Sequence, residues 1–233
     1  MRTALLRLAA PALVVAGCAP SIPQPCLVGR ADSSAYVASL TLKPSQTIAP
    51  ECAAATAAQR VELYGVEKYS PPGAASTVAI LPLDLDQNPV FPGDTPPLAE
   101  GAFSSEDAQA NGLCSVPVLS LEQGDLPDGA GGSRVVSYLF SDVQFLAGPA
   151  YQGTQFSASL HYVDGACAAD YDVIAVWPAV GCATSADCNP AQDISQGIFG
   201  SGINSAYPVA CDPVAQYCVL SGTTFPQTSG FVP

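Results

Sequence analysis

Nine cysteines, at positions 18, 26, 52, 114, 167, 182, 188, 211 and 218, punctuate a chain of 233 residues. An odd count leaves at least one sulfur without an internal partner. No two of them form Cys-x-x-Cys, and Cys182-x5-Cys188 and Cys211-x6-Cys218 lack the spacing of a zinc ribbon. Disulfides are therefore expected for eight, Cys26, Cys52, Cys114, Cys167, Cys182, Cys188, Cys211 and Cys218, in an oxidising compartment. Each bridge would stabilise the fold by about 2–4 kcal/mol, chiefly by restricting the unfolded chain. Connectivity does not follow from spacing. The favoured pair is Cys211–Cys218, because both flank the turn residues Asp212-Pro213 at the ends of short strands.

The ninth cysteine has its own explanation. Arg2 and Arg7 form a positive start, and Leu8 to Gly17 is a run of ten uncharged residues, too short to span a bilayer. This is the pattern of a secretory signal. Its end, Val15-Ala16-Gly17-Cys18, resembles the lipobox of bacterial lipoproteins. That resemblance implies cleavage before Cys18, lipidation of its sulfur, and acylation of the new N-terminus. Ala19 in place of Asp implies, by the same resemblance, export to the outer membrane. Ordinary signal cleavage after Ala19, at Gly17-Cys18-Ala19, is the alternative. Loss of Arg2 and Arg7 deepens the net charge from −13 to −15. Such a body has little to offer phosphate backbones, so nucleic acid is not an expected partner; the membrane, through the lipid, is.

The expected organisation is a signal peptide over 1–17, a Pro-rich tether over 18–25, and one β-rich domain over 26–233, with 181–233 a Cys-rich subregion. Strand-like runs separated by Pro, Gly and Asp clusters cover Ala35–Lys43, Val61–Tyr69, Thr77–Leu85, Ser115–Leu121, Arg134–Ala147, Gly153–Val163, Asp170–Val180, Tyr207–Cys211 and Gln216–Ser221. Short helices are expected at Glu51–Arg60, Ser105–Asn111 and Pro190–Gln196. Many strands and few helices predict a mostly β protein, a disulfide-stabilised antiparallel β-sandwich with a few short helices. Two long stretches, Gln87–Phe103 and Gln123–Ser133, read as loops.

Gly153–Val163 alternates completely, with Phe156, Ala158, Leu160 and Tyr162 on one face. Asp164-Gly165 comes next and suits a two-residue hairpin turn. With those two residues as the turn, Phe156 opposes Val173, Leu160 opposes Ala169, and His161 opposes Ala168 with Asp170 on the diagonal. Val173–Val180 is apolar on both faces and should run through the sheet centre.

Chemistry-bearing residues are few. His161 is the only histidine, and it falls on the polar face of an open strand, with no Gly-x-Ser-x-Gly nearby. Lys43 and Lys68 are the only lysines. Asp84-Leu-Asp86-Gln-Asn88 begins like a calcium loop, but Pro89 stands at its glycine position and Thr95 at its closing glutamate. A loose calcium site on Asp84, Asp86 and Asn88, with Asp94 as an optional fourth ligand, is the one metal candidate; otherwise no cofactor is expected. Gly129-Ala-Gly131-Gly132-Ser133 lacks the lysine of a phosphate loop. Trp177, the only tryptophan, shares parity with Tyr171 and Val173 and is expected inside; Tyr151, Tyr207 and Tyr217 could stack on a ligand.

The expectation is a lipid-anchored, disulfide-rich cell-envelope protein acting as a structural or binding module, with a protein or glycan partner. The alternatives are a carboxylate-based, glycan-directed hydrolase, or an inhibitor or adhesin presenting the loop Asp212–Tyr217.

Overall fold

The structure is a computed structural model and describes residues 23–29, 34–44, 46–86, 98–191 and 200–228. Among these residues, eleven strands run in chain order. They are β1 (Tyr36–Leu42), β2 (Gln59–Tyr69), β3 (Thr77–Pro82), β4 (Ala99–Ala102), β5 (Leu113–Val118), β6 (Glu122–Pro127), β7 (Ser133–Leu146), β8 (Gln155–Asp164), β9 (Cys167–Val176), β10 (Val209–Cys211) and β11 (Cys218–Leu220). Among the same residues there are also one helical turn, α1 (Leu83–Asp86), and 3-10 turns at Pro50–Cys52 and Ser185–Cys188.

Nine strands form one antiparallel sheet ordered β4-β3-β2-β1-β9-β8-β7-β5, with β6 added to the same edge of β7 as β5. The fourteen-residue β7 carries both partners, β5 along Ser141–Leu146 and β6 along Ser133–Tyr138. The sheet curls until its two ends meet. Ser120 N–H donates to Glu100 C=O at 2.8 Å, and Ser104 N–H to Ser115 C=O at 2.8 Å. A methyl placed on Gly101 of β4 would lie 2.5 Å from the Val118 carbonyl oxygen of β5. The fold is thus mostly β, antiparallel and sandwich-like, a nearly closed sheet around one core.

That core obeys strand parity. Tyr36, Ala38 and Leu40 of β1, Phe156, Ala158, Leu160 and Tyr162 of β8, and Tyr171, Val173 and Ala175 of β9 are all buried in it. In β7 the inward parity changes from Tyr138 and Phe140 to Val143 and Phe145. A β-bulge between Ser141 and Gln144, with Asp142 at φ +52°, inserts the residue that makes both sets face inward.

The central position of β9 stands, between β1 and β8. Its second apolar face, Ile174 and Val176, is covered by the C-terminal unit, where Ile203, Tyr207, Val209 and Leu220 join Val37 and Leu146 in a second core. That unit contains the two-stranded sheet β10–β11.

Several expectations are corrected. The β8–β9 hairpin turns at Gly165-Ala166, not Asp164-Gly165, because Asp164 pairs with Cys167. Gly165 takes the first central position at φ +60°, where a II′ turn places glycine. Phe156 therefore faces Ala175, Leu160 faces Tyr171, and His161 faces Asp170 directly. Cys211 and Cys218 are opposed in β10–β11 but not bonded to each other. The bridges are Cys26–Cys114, Cys52–Cys167, Cys182–Cys211 and Cys188–Cys218. The disulfides that hold the loop Asp212–Tyr217 accordingly run to Cys182 and Cys188, while its base is closed by the β10–β11 pairing and by the Asp212 N–H donating to the Tyr217 carbonyl at 2.9 Å.

Glu51–Arg60 forms only the turn at Pro50–Cys52 before Gln59 enters β2, since an isolated ten-residue segment nucleates helix poorly. Ser105–Asn111 is not helical: Cys26 N–H donates to Glu106 C=O and Ala108 N–H to Gln24 C=O, so this segment pairs with the start of the body instead. Thr77–Leu85 is a strand only to Pro82. The stretches read as loops contain β4 and all of β6 but its first residue, Glu122. Residues 192–196 of the third helix lie outside the described residues, as does Cys18.

Candidate functional site

Strand parity turns Arg60 and Glu62 of β2 inward at one end of the curled sheet. Arg60 Nη2 lies 2.5 Å from Glu62 Oε1, and the Tyr64 hydroxyl donates to Glu62 Oε2 at 2.8 Å. Arg60 also sits over the Tyr162 ring, 4.3 Å from its centroid, a cation–π arrangement. Burial raises the proton affinity of Glu62, and the Arg60 guanidinium and Tyr64 hydroxyl oppose that rise. Burial likewise pushes the Tyr64 and Tyr138 hydroxyls far up, with the Glu62 charge adding to both. This network is neutralised from within, as a buried ion pair must be.

Above it opens a cavity of about 470 Å³ lined by Arg60, Glu62, Asp84, Asp212 and Val214, among others. Of the three residues expected to hold calcium, Asp84 reaches this cavity, while Asn88 and the side chain of Asp86 lie outside the described residues. The structure thus brings Asp84 to Glu62 and Asp212, neither of which the calcium pattern included. Asp212 Oδ1 already accepts the N–H groups of Val214 and Ala215 at 2.9 and 2.8 Å. The sulfurs of Cys182, Cys188 and Cys218 lie within 4.8 Å of one another, but each belongs to a disulfide.

Glu122 is a different carboxyl. It pairs with Tyr138 across β6–β7, points inward, and is 1% exposed. Neither carboxyl oxygen has a partner in hydrogen-bonding geometry. Burial pushes it up to about 9, the Ala99 backbone nearby opposing only part of the rise, so it is neutral at pH 7. His161 remains on the exposed face, its Nδ1 2.7 Å from Asp170 Oδ1.

A second depression lies where the β7–β8 connection meets the end of β9 and the C-terminal unit. It holds about 300 Å³ and is lined by Tyr151, Gln152, Thr154, Trp177, Gly202 and Asn204, together with Ala150. The Tyr151 and Tyr207 rings stack, 6.0 Å apart at 15°. Thr154 Oγ1 donates to the Tyr151 carbonyl at 2.5 Å and lies 3.0 Å from the Tyr207 hydroxyl. Trp177 is half-buried rather than sealed inside; its indole N–H donates to the Ser34 carbonyl at 3.1 Å while the ring packs on the main core. Parity carried no warning of this, because Trp177 lies one residue beyond the end of β9. Tyr151 was legible as a loop aromatic; Gln152 and Asn204 were not legible, since nothing local ties them to Trp177.

A protein-family model described as MlpA matches residues 34–178. The matched region holds β1 to β9, the whole of the large sheet, and stops before the C-terminal unit. No curated protein and no solved structure matches the chain.

Proposed function

The chain belongs to the MlpA family, and from the sheet that carries this membership we propose a lipid-anchored, non-catalytic binding or structural module of the cell envelope, held at the outer membrane. The observation that carries the reading is the cysteine pairing. Four bridges consume Cys26, Cys52, Cys114, Cys167, Cys182, Cys188, Cys211 and Cys218, which leaves Cys18, behind Val15-Ala16-Gly17, without an internal partner. A lipid-bearing sulfur is the role that position suits. The interior chemistry supports a non-catalytic body. Glu62 is committed to Arg60 and Tyr64, and Glu122 is closed off from solvent.

Cys18→Ser should move the protein from the membrane to the soluble fraction in a detergent-free fractionation. Unchanged partitioning would refute the anchor. A pull-down from envelope extracts, with and without calcium, addresses the binding role and the Asp84 site together.

A second reading is a carboxylate-based hydrolase. It is favoured by Glu62, Asp84 and Asp212 lining one cavity, with Glu62 raised in proton affinity as a general acid would need. Release of new reducing ends from envelope glycans would select it.

A further inference from the structure

We propose that the depression bounded by Tyr151, Gln152, Thr154, Trp177 and Asn204 is a binding site for an uncharged carbohydrate unit. The inference rests on the binding-module reading and names its ligand class. Three features of the site carry it.

The first is its lining. Among the described residues no charged side chain borders it, although the chain carries 20 acidic residues. An ion would find no counter-charge there, so the ligand is neutral. The aromatic surfaces are Tyr151 and the only tryptophan of the chain, and the remaining polar side chains are amides and a hydroxyl. That combination suits a sugar, whose ring faces present C–H groups to aromatic planes and whose rim presents hydroxyls.

The second is unused hydrogen-bonding capacity. Among the described residues, the Tyr151 hydroxyl and the Gln152 side-chain amide make no hydrogen bond. Asn204 uses one N–H on the Ala150 carbonyl and accepts from the Ala206 N–H, which leaves its second N–H free. Donors and acceptors thus lie beside the aromatic rings, as recognition of a polyol requires. At about 300 Å³ the volume stands at the low end for small-molecule sites and suits one sugar ring with part of its neighbour.

The third is the backbone at Gln152, φ +50°. A left-handed conformation favours glycine by roughly 1 kcal/mol or more over a residue with a Cβ. Here it presents an exposed, unpartnered amide at the rim instead. Strain retained for a side chain that does nothing for the fold is accounted for by what that side chain can touch.

Being the only tryptophan, Trp177 reports on this site alone. Tryptophan emission of the folded, oxidised protein should be titrated with maltotetraose, cellotetraose and N-acetylated chitotetraose. A tetragalacturonate of the same length serves as the anionic counterpart. A saturable change with at least one neutral sugar, and at least tenfold weaker binding of tetragalacturonate, is expected. Gln152→Gly should weaken that binding roughly tenfold while leaving the thermal midpoint unchanged or higher. Asn204→Ala should weaken binding as well. No response to any of the three neutral sugars overturns the site. So does a response that survives Gln152→Gly undiminished, or one equal for tetragalacturonate. The two readings fail separately. Specific envelope capture with no sugar response leaves the binding module and removes this site. Sugar binding followed by release of reducing ends keeps the site and removes the non-catalytic reading.

Discussion

Glu122 makes the stability of this protein depend on pH in a direction unusual for an acidic side chain. Its carboxyl is raised from the usual 4.5 to about 9 by burial, so the native state keeps a proton that the unfolded chain releases above about pH 4.5. The contribution is therefore fully favourable below that pH and is lost progressively as pH rises towards 9. Denaturant titrations between pH 5 and 9 should show stability falling for the wild type and falling less for Glu122→Gln. At pH 8 the variant should be more stable by on the order of 1–3 kcal/mol. A variant less stable than the wild type at pH 8 would show that the ionised carboxyl has a partner. Single positions also show how far local sequence carries. The hairpin turn sits one residue later than Asp164-Gly165 suggests, which shifts every opposed pair by two. A shift of two preserves parity, so the faces of Phe156, Leu160 and Tyr162 were legible while their partners were not. Asp170 was legible as a diagonal neighbour of His161, and their direct opposition came with the true register.

Among the strands, those with strong alternation or β-branched runs were readable from their residues, and β4 and β6 were not. Glu-Gln-Gly-Asp-Leu-Pro has almost no intrinsic preference for a strand; β6 forms because β7 is long enough to offer it an edge. Tertiary pairing decided it. The same holds for β4, four residues between β3 and the closing seam. The bulge in β7 did leave a trace, in the switch of inward parity from Tyr138 and Phe140 to Val143 and Phe145. The seam gives a direct test of closure. At Gly101 a side chain would meet the Val118 carbonyl, with Val116 and Leu119 close behind. Gly101→Val should lower stability by roughly 2–3 kcal/mol, measured by chemical denaturation. A neutral result would mean that β4 and β5 do not pack against each other.

Across the molecule, the family match and the packing divide the chain in the same place. Residues 34–178 hold the large sheet, and the C-terminal remainder is a small unit seated on its outer face through Ile203, Tyr207, Val209 and Leu220. Hydrogen bonds reinforce the seat: the buried Gln155 amide donates to the Gln227 carbonyl at 3.0 Å and accepts from the Gln227 N–H at 2.8 Å. The proposed sugar site needs both parts, Tyr151, Gln152, Thr154 and Trp177 from one and Gly202 and Asn204 from the other. It was therefore beyond the reach of any motif reading, which sees neighbours in sequence only.

The disulfides are interlaced in both parts. In each part the first cysteine pairs with the third and the second with the fourth: Cys26–Cys114 crosses Cys52–Cys167, and Cys182–Cys211 crosses Cys188–Cys218. A chain that enters an oxidising compartment N-terminus first meets its cysteines in order, and joining each to the next would give four wrong bonds out of four. Correct pairing must then be reached by thiol–disulfide exchange, with the growing sheet selecting among partners. Reduced, unfolded protein oxidised without free thiol should accumulate mispaired species by peptide mapping, and added disulfide isomerase should convert them to the native set. Full native yield with oxidant alone would mean that the sheet assembles before any sulfur reacts. For a cell that makes this chain, abundance would then be set by its capacity to reshuffle disulfides rather than by its capacity to form them.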